Sequence, residues 1–403
     1  IMSRIGIYGG TFNPPHRGHM QAARQAVELL NLDKLLLIPD RCPPHKTMPE
    51  GTPSAWERLE LVRLAAQAIG KAEASDLELL REGRSYTADT MTLLRQAYPE
   101  DELFFLMGTD MLLAFPRWRE PEKICRQATL VVMLRECEEP KLQQELQAQA
   151  RYIQENLGGQ VRFLKNRALP MASTDVRRML TFQAVGEMLE PAVLERIQAQ
   201  GLYGVNRDLR GLSMEGLEAE VVRLLDPKRV PHVLGCRDTA AKLAEQYGAN
   251  PRDAARAGLL HDVTKALPPE LQLQLCQEYG IALAPFSRDN PKTLHATTGA
   301  WVARKIFGEN DGVFEAIASH TTGCGHMNSL QKILYIADYM EPNRDFPGVE
   351  RLRAAVAEDL DRAVLMGLEM TVDMLRSQGR RVAQDSLEAI ASLQAECMQR
   401  TGM

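Results

Sequence analysis

Apolar positions in the first two hundred residues come in short continuous runs: Arg4–Tyr8, Lys34–Ile38, Leu103–Met107, Thr129–Leu134 and Val161–Leu164. Between them, apolar residues recur every three or four positions over His19–Leu30, Ala55–Ile69, Thr87–Ala97 and Lys141–Glu155. Near-continuous apolar strands alternating with amphipathic helices predict a parallel sheet covered on both faces, a doubly wound α/β domain with right-handed crossovers.

From Met214 onward the pattern changes to helical periodicity alone. It predicts helices over Leu217–Leu225, Cys236–Tyr247, Asp253–Leu260, Pro269–Tyr279, His295–Ile306, Gly312–His320, Ser329–Tyr339 and Val349–Val356, and a long one over Leu360–Gln399. A separate all-α domain is expected. The change falls in the polar, glycine-bearing stretch Gly204–Ser213, just after a last helix at Pro191–Gln200. The expected organisation is therefore a domain over 2–205, a linker over 206–213 and a domain over 214–403. No repeat or low-complexity segment interrupts either half.

Composition narrows the class. The 403 residues are 45% hydrophobic and 25% charged, too apolar for disorder. A net charge of −5 leaves no basic excess for general nucleic-acid or membrane-surface binding. No apolar run approaches the ~18 residues of a membrane span. Residue 1 is Ile, so Met2 is taken as the natural start, and the N-terminal stretch lacks a signal-peptide pattern. The seven cysteines are scattered and form no C-x-x-C pair, which points to reduced thiols in the cytoplasm.

The first candidate chemistry lies in IGIYGGTFNPPHRGHM. A strand runs into Gly9 and Gly10, a Pro-Pro turn follows, and His16 and His19 open a helix. Two glycines let backbone approach a phosphate, and a helix start favours an anion. Histidines three apart share a helical face and can donate to phosphate oxygens or to charge growing on a leaving group. A structural turn with incidental histidines accounts for any one of these features, but not for their conjunction. The spacing fits neither G-x-G-x-x-G nor the P-loop. Further polar clusters follow other strands: Pro43-Pro44-His45-Lys46, Gly83–Thr87, Gly108-Thr109-Asp110 with Trp118 beyond, and Ser173–Arg177. In open α/β sheets such loops converge on one crevice. Ser173 and Thr174 are read equally well as helix N-caps, and Arg84 and Arg177 as solvated surface.

In order, GGTFNPPHRGH, PPHK, GRSYTADT, LMGTD and STDVR resemble the bacterial nicotinate-nucleotide adenylyltransferases of the H-x-G-H nucleotidyltransferase superfamily. The resemblance covers about 200 residues. It implies a Rossmann-like fold and the reaction of ATP with nicotinate mononucleotide to give nicotinate adenine dinucleotide and pyrophosphate, with Mg²⁺. Carried onto this chain, Gly9, Gly10, Thr11 and Phe12 line the nucleotide crevice. His16 and His19 are catalytic and contact ATP phosphates, with Ser173, Thr174 and Arg177. His45 and Lys46 sit by the mononucleotide phosphate, and Tyr86, Thr87, Asp110 and Trp118 frame its pyridine and ribose. One departure is Ala172, where the family pattern has a hydroxyl. Transfer to another phosphate acceptor, such as nicotinamide mononucleotide or phosphopantetheine, is the alternative within this class.

The second half holds His232, His261, His295, His320 and His326. The order H…HD…H…H…D, through His261-Asp262 to Asp338, spreads imidazoles and carboxylates over separate predicted helices. That donor mixture suits Fe, Mn, Co or Zn, and several such ligands can hold two metals. His326 is read as a surface residue. Cys236 and Cys324 lie near His232 and His320, so a structural zinc site is an alternative, although the spacing fits no closed Cys/His pattern.

LLHDVTKALP, LHATTGAWVARKIFG, IASHTTG and LYIADYMEPNRDFPGVERLR resemble the HD-domain phosphohydrolases, and among them the symmetrical diadenosine tetraphosphatases. The resemblance implies a dinuclear, often iron-containing centre that splits diadenosine tetraphosphate into two ADP. It assigns His232, His261, Asp262 and Asp338 as metal ligands, Asp262 being catalytic. His295 and His320 complete a second metal or phosphate site, and Lys265 holds a phosphate. GCGHMN after HTT departs from the family pattern. The chain thus reads as a bifunctional cytoplasmic enzyme. The rival from a different class, one half serving as a regulatory nucleotide-binding module, is opposed by complete motifs in both.

Overall fold

The computed structural model describes residues 2–41, 47–135, 139–167 and 169–401. The chain divides into two compact units, Ile1–Arg207 and Asp208–Met403.

The first unit is a six-stranded parallel sheet: β1 (Arg4–Gly10), β2 (Lys34–Pro39), β3 (Ala72–Ala74), β4 (Glu102–Met107), β5 (Thr129–Arg135) and β6 (Val161–Asn166). The strand order is β3-β2-β1-β4-β5-β6, with β1 pairing Ile7 to Leu36 on one side and to Phe105 on the other. The order reverses between β1 and β4, so a crevice opens there, beyond the strands' carboxyl ends. Leu35, Leu37, Leu130, Val131 and Val132 are wholly buried, as a sheet covered on both faces requires. Gly6 is demanded by that packing: a Cβ there would lie 2.5 Å from Leu32 Cδ1. β3 is an addition to the expected strands. Its sequence, Ala-Glu-Ala, has no apolar pattern, and it forms at the sheet edge by pairing with β2.

The second unit is helical throughout its described residues. Two differences from expectation have local causes. The helix expected from Cys236 begins at Val230, with Pro231 in the first turn, where a missing N–H costs nothing. The single C-terminal helix divides into Leu360–Ser377 and Gln384–Thr401, and between them Gly379 adopts φ +65°. The helices Val230–Tyr247 and Pro251–Leu260 cross closely at Gly258, where a Cβ would lie 2.7 Å from Arg237 Cα. That crossing brings His232 and His261 together. No helix among the described residues is long and apolar enough to cross a membrane.

Candidate active sites

In the first unit, β1 runs into a turn whose tip, Phe12, takes φ +46°. Phe12 therefore points inward. It is 1% exposed and lies edge-on beneath the His19 ring, with centroids 5.1 Å apart. Its side chain supports a histidine, while its neighbours Thr11 and Asn13 line the cleft. His16 is the N-cap of the helix Arg17–Leu29 and makes a reciprocal box with His19. The His19 N–H donates to His16 Nδ1 at 3.3 Å, and the His16 N–H donates to His19 Nδ1 at 3.2 Å. The two rings stack with centroids 3.6 Å apart. Burial pushes His16 down to about 4, and burial together with His16 pushes His19 well below the ordinary range. Both rings are thus neutral at pH 7. With each Nδ1 already accepting, the ring proton of each resides on Nε2.

Thr11, His16, His19, Ser173, Thr174 and Arg177 line one cleft. The helix Ser173–Thr181 begins after Ala172, which occupies the N-cap and supplies no side-chain cap. The capping reading of Ser173 and Thr174 therefore fails. Ser173 Oγ donates to Pro14 O at 3.4 Å, and Thr174 Oγ1 accepts from Arg177 at 3.2 Å. The first-turn N–H groups of this helix lack intrahelical acceptors. Arg177 also donates to Asn13 O at 2.7 Å, so it braces the turn as well as the cleft.

A second cleft lies over β1, β2 and β4. It is lined by Gly9, Gly10, Tyr86, Thr87 and Trp118, with Asp40, Glu78 and Arg119. Asp110 lines neither cleft. It is exposed in the first turn of the helix Thr109–Ala114, where a carboxylate complements the helix start. His45 and Lys46 lie outside the described residues.

In the second unit, four histidines converge through one device. His261 Nδ1 bonds to Gly258 O at 2.7 Å, His295 Nδ1 to Lys292 O at 2.8 Å, and His320 Nδ1 to Ile317 O at 2.6 Å. His232 Nδ1 bonds to Glu341 Oε1 at 3.0 Å. A carbonyl or carboxylate accepts only from N–H, so all four Nδ1 atoms carry protons and the Nε2 atoms point inward. In the metal-free protein burial opposes charge on the His261 ring, yet Asp262 and Asp338 hold it well above the ordinary range, and a bound cation would take the place of an Nε2 proton. His232 Nε2 lies 3.0 Å from Asp338 Oδ1, and His261 Nε2 lies 3.3 Å from Asp262 Oδ2. His295 Nε2 lies 3.3 Å and His320 Nε2 3.8 Å from the other Asp262 oxygen, Oδ1. Burial opposes charge on Asp262 and Asp338, yet the surrounding imidazoles hold both carboxyls well below the usual range. Burial, then the neighbouring His261 and His295, pushes His320 down to about 3.

Three overlapping groups could each hold a metal ion: His232-His261-Asp262, His261-His320-Asp338 and Asp262-His295-His320. Asp262 Oδ1, His295 Nε2 and His320 Nε2 are buried without a hydrogen-bond partner, as fits ligand atoms. Among the described residues no such group contains a cysteine, which removes the structural zinc alternative. Lys265 Nζ lies 3.4 Å from Asp262 Oδ1. His326 is exposed and outside the cluster, as expected for a surface residue.

Residues 7–179 match the cytidylyltransferase-like family and residues 229–343 the HD domain family. A probable nicotinate-nucleotide adenylyltransferase of Shouchella clausii is 34% identical over 208 residues, 51% of this chain and 100% of that protein. One of Pseudomonas syringae is 37% identical over 210 residues, 50% of this chain and 93% of that protein. The chain belongs to the nicotinate-nucleotide adenylyltransferase family. Its family domain is fused to a C-terminal HD domain. A crystal structure described as a predicted HD superfamily hydrolase involved in NAD metabolism, from Clostridium acetobutylicum, is 37% identical, covers 46% of this chain and 98% of that one, and has a TM-score of 0.45.

The structure adds residues that the motifs did not single out. Arg58 is 2% exposed and donates to Thr11 O at 2.6 Å and Asp40 O at 2.7 Å, tying β1 to β2 at the crevice. Glu78 is half-buried in the second cleft, and desolvation there raises its carboxyl despite the hydrogen bond from Thr90. Glu341 orients His232, while Arg229 and Arg344 contact Asp262 and Asp338. Glu341 and Arg344 lie inside the EPNR stretch of the HD resemblance, so position in the motif was their only signal. A lone arginine in a helix, as Arg58 is, carries none.

Proposed function

We propose that the first unit transfers an adenylyl group from ATP to nicotinate mononucleotide, releasing pyrophosphate. The observation that carries this is the pair of stacked, neutral histidines whose Nε2–H donors accompany Arg177 and a helix start in one cleft. A phosphate oxygen of the mononucleotide attacks the α-phosphorus in line, and negative charge grows on the departing pyrophosphate. His16 and His19 donate to that charge and need no proton exchange, because they are neutral donors before and after. Arg177 and the first turn of Ser173–Thr181 add charge and N–H donors. Mg²⁺ bound with the triphosphate would neutralise part of its charge. The second cleft accepts the pyridine and ribose between Tyr86, Thr87 and Trp118. Competition between nicotinate and nicotinamide mononucleotide tests the acceptor: preference for nicotinate supports the reading, and equal or reversed preference overturns it.

The second unit is proposed to hydrolyse a phosphoanhydride, diadenosine tetraphosphate to two ADP. The supporting observation is Asp262, whose two oxygens face different imidazole sets. His232, His261, Asp262 and Asp338 would hold one cation, and Asp262, His295 and His320 a second. Two bound cations supply an acidified water and neutralise charge on the phosphate chain. The protein's part is to fix each Nε2 inward through its Nδ1 bond and to keep both carboxylates ionised. The nitrogen and oxygen donor set favours Fe, Mn or Co over Ca. Chelation should abolish hydrolysis, and Mn²⁺ should restore it with ADP as the only nucleotide product. ATP plus AMP would refute the symmetric cut, and hydrolysis that survives chelation would refute the metal.

A further inference from the structure

The same carboxylate oxygens that face the imidazoles also hold two arginines. Arg229 Nε and Nη2 both lie 2.6 Å from Asp262 Oδ2. Arg344 Nη2 lies 2.8 Å from Asp338 Oδ1, and its Nε donates to the Asp338 carbonyl at 2.8 Å. Asp262 Oδ2 is also the oxygen 3.3 Å from His261 Nε2, and Asp338 Oδ1 the oxygen 3.0 Å from His232 Nε2. Each guanidinium therefore uses an oxygen that a cation held by these imidazoles would also use. The two compete electrostatically, since one oxygen cannot give its full charge to both. Their positions differ as well. Asp262 is wholly buried and Asp338 is 17% exposed, whereas the Arg229 and Arg344 side chains are 27% and 31% exposed.

We propose that Arg229 and Arg344 are exchangeable counter-ions. They neutralise Asp262 and Asp338 in the metal-free protein, and on metal binding they turn their guanidinium forks to the phosphate oxygens of a polyphosphate substrate. The planar fork matches phosphate as it matches carboxylate, so the partner exchange costs little directional bonding. Arg344 is suited to this: its Nε bond to the Asp338 carbonyl holds the side chain at the rim while Nη2 changes partner. Arg353 braces the loop behind it, donating to Arg344 O and Glu341 O, each at 2.9 Å. This inference rests on the proposed metal centre but not on diadenosine tetraphosphate being the substrate.

The exchange makes two effects of one substitution run in opposite directions. Arg344→Gln and Arg229→Gln, each in the full chain, are titrated with Mn²⁺ alone after chelator treatment, and then with inorganic tripolyphosphate on the Mn²⁺-loaded protein, both by calorimetry. Mn²⁺ should bind about tenfold tighter, since one competing charge-assisted contact has gone. Tripolyphosphate should bind about tenfold weaker or more. Arg344→Lys and Arg229→Lys keep the charge without the fork. They should leave Mn²⁺ affinity near the parent's and weaken tripolyphosphate less. Arginines that merely scaffold the site would weaken both ligands when removed. Weaker or unchanged Mn²⁺ binding in the Gln variants, or unchanged tripolyphosphate binding, overturns the proposal. If a Gln variant does not fold, the Lys variants decide: tripolyphosphate binding equal to the parent's overturns it. A parent protein that binds no Mn²⁺ overturns the metal centre itself, a distinguishable failure.

Discussion

Acidification should weaken the first unit, and His16 supplies a share of that loss that can be isolated. In the unfolded chain His16 takes its proton near 6.5, and in the folded protein near 4. Between these values the unfolded state binds the proton and the folded state does not. Stability therefore falls as pH drops from 6.5 to 4 and is flat with respect to this group outside that window. The full shift corresponds to about 3 kcal/mol, and His16 is 4% exposed, so solvent screens little of it. Asn is a good N-cap without a titrating proton, so His16→Asn removes this slope while keeping the cap. The assay is urea unfolding of the full chain across pH 4–7. Tryptophan fluorescence is read in a Trp301→Phe background, so that Trp56 and Trp118 report the first unit alone. The pH-dependent loss in His16→Asn should be smaller than the parent's by about 3 kcal/mol; the remaining slope belongs chiefly to His19, which shifts in the same direction. Equal slopes would mean that His16 titrates normally in the folded state, and the case for a neutral Nε2–H donor at the phosphate cleft would collapse.

Other substitutions separate scaffold from chemistry. Arg58→Met leaves Thr11 O and Asp40 O without their donor and should cost about 3 kcal/mol, seen as a lower unfolding temperature of the first unit. A full wild-type melting curve would contradict that role. His16→Ala should reduce adenylyl transfer by about 10²-fold or more, and a near-normal steady-state rate would exclude His16 as a donor to the leaving group. Gly235→Ala places a Cβ against the Glu341 carboxylate that holds His232. It should lower metal content measured by elemental analysis while adenylyl transfer stays intact, and unchanged metal content would show that Glu341 does not set the His232 position.

The fold was largely legible because its strands are buried on both faces and so read as unbroken apolar runs. β3 was not, since three residues at an edge are ordered by pairing with β2 rather than by burying side chains. The C-terminal division was missed because apolar periodicity resumes after Gly379, and the break is a backbone conformation rather than a change of pattern. At the sites, residue type and order identified the histidines and Asp262. Their protonation did not follow from order. His261, His295 and His320 each spend Nδ1 on the carbonyl three residues earlier, and only the three-dimensional helix ends reveal this. The inward direction of the Phe12 side chain was illegible for the same reason: it accompanies a positive φ, which residue type does not announce. Arg58, Glu341 and the two rim arginines act through contacts distant in sequence, which spacing cannot report.

The central claim is that one chain carries two separate chemistries, and product analysis by mass tests it most directly. Parent, His16→Ala and Asp262→Ala proteins are each given ATP, nicotinate mononucleotide, diadenosine tetraphosphate, Mg²⁺ and Mn²⁺ in one mixture. The parent should form nicotinate adenine dinucleotide, pyrophosphate and ADP. His16→Ala should lose the dinucleotide and keep ADP, and Asp262→Ala should do the reverse. Loss of both products in either variant, or of neither in both, would contradict the account.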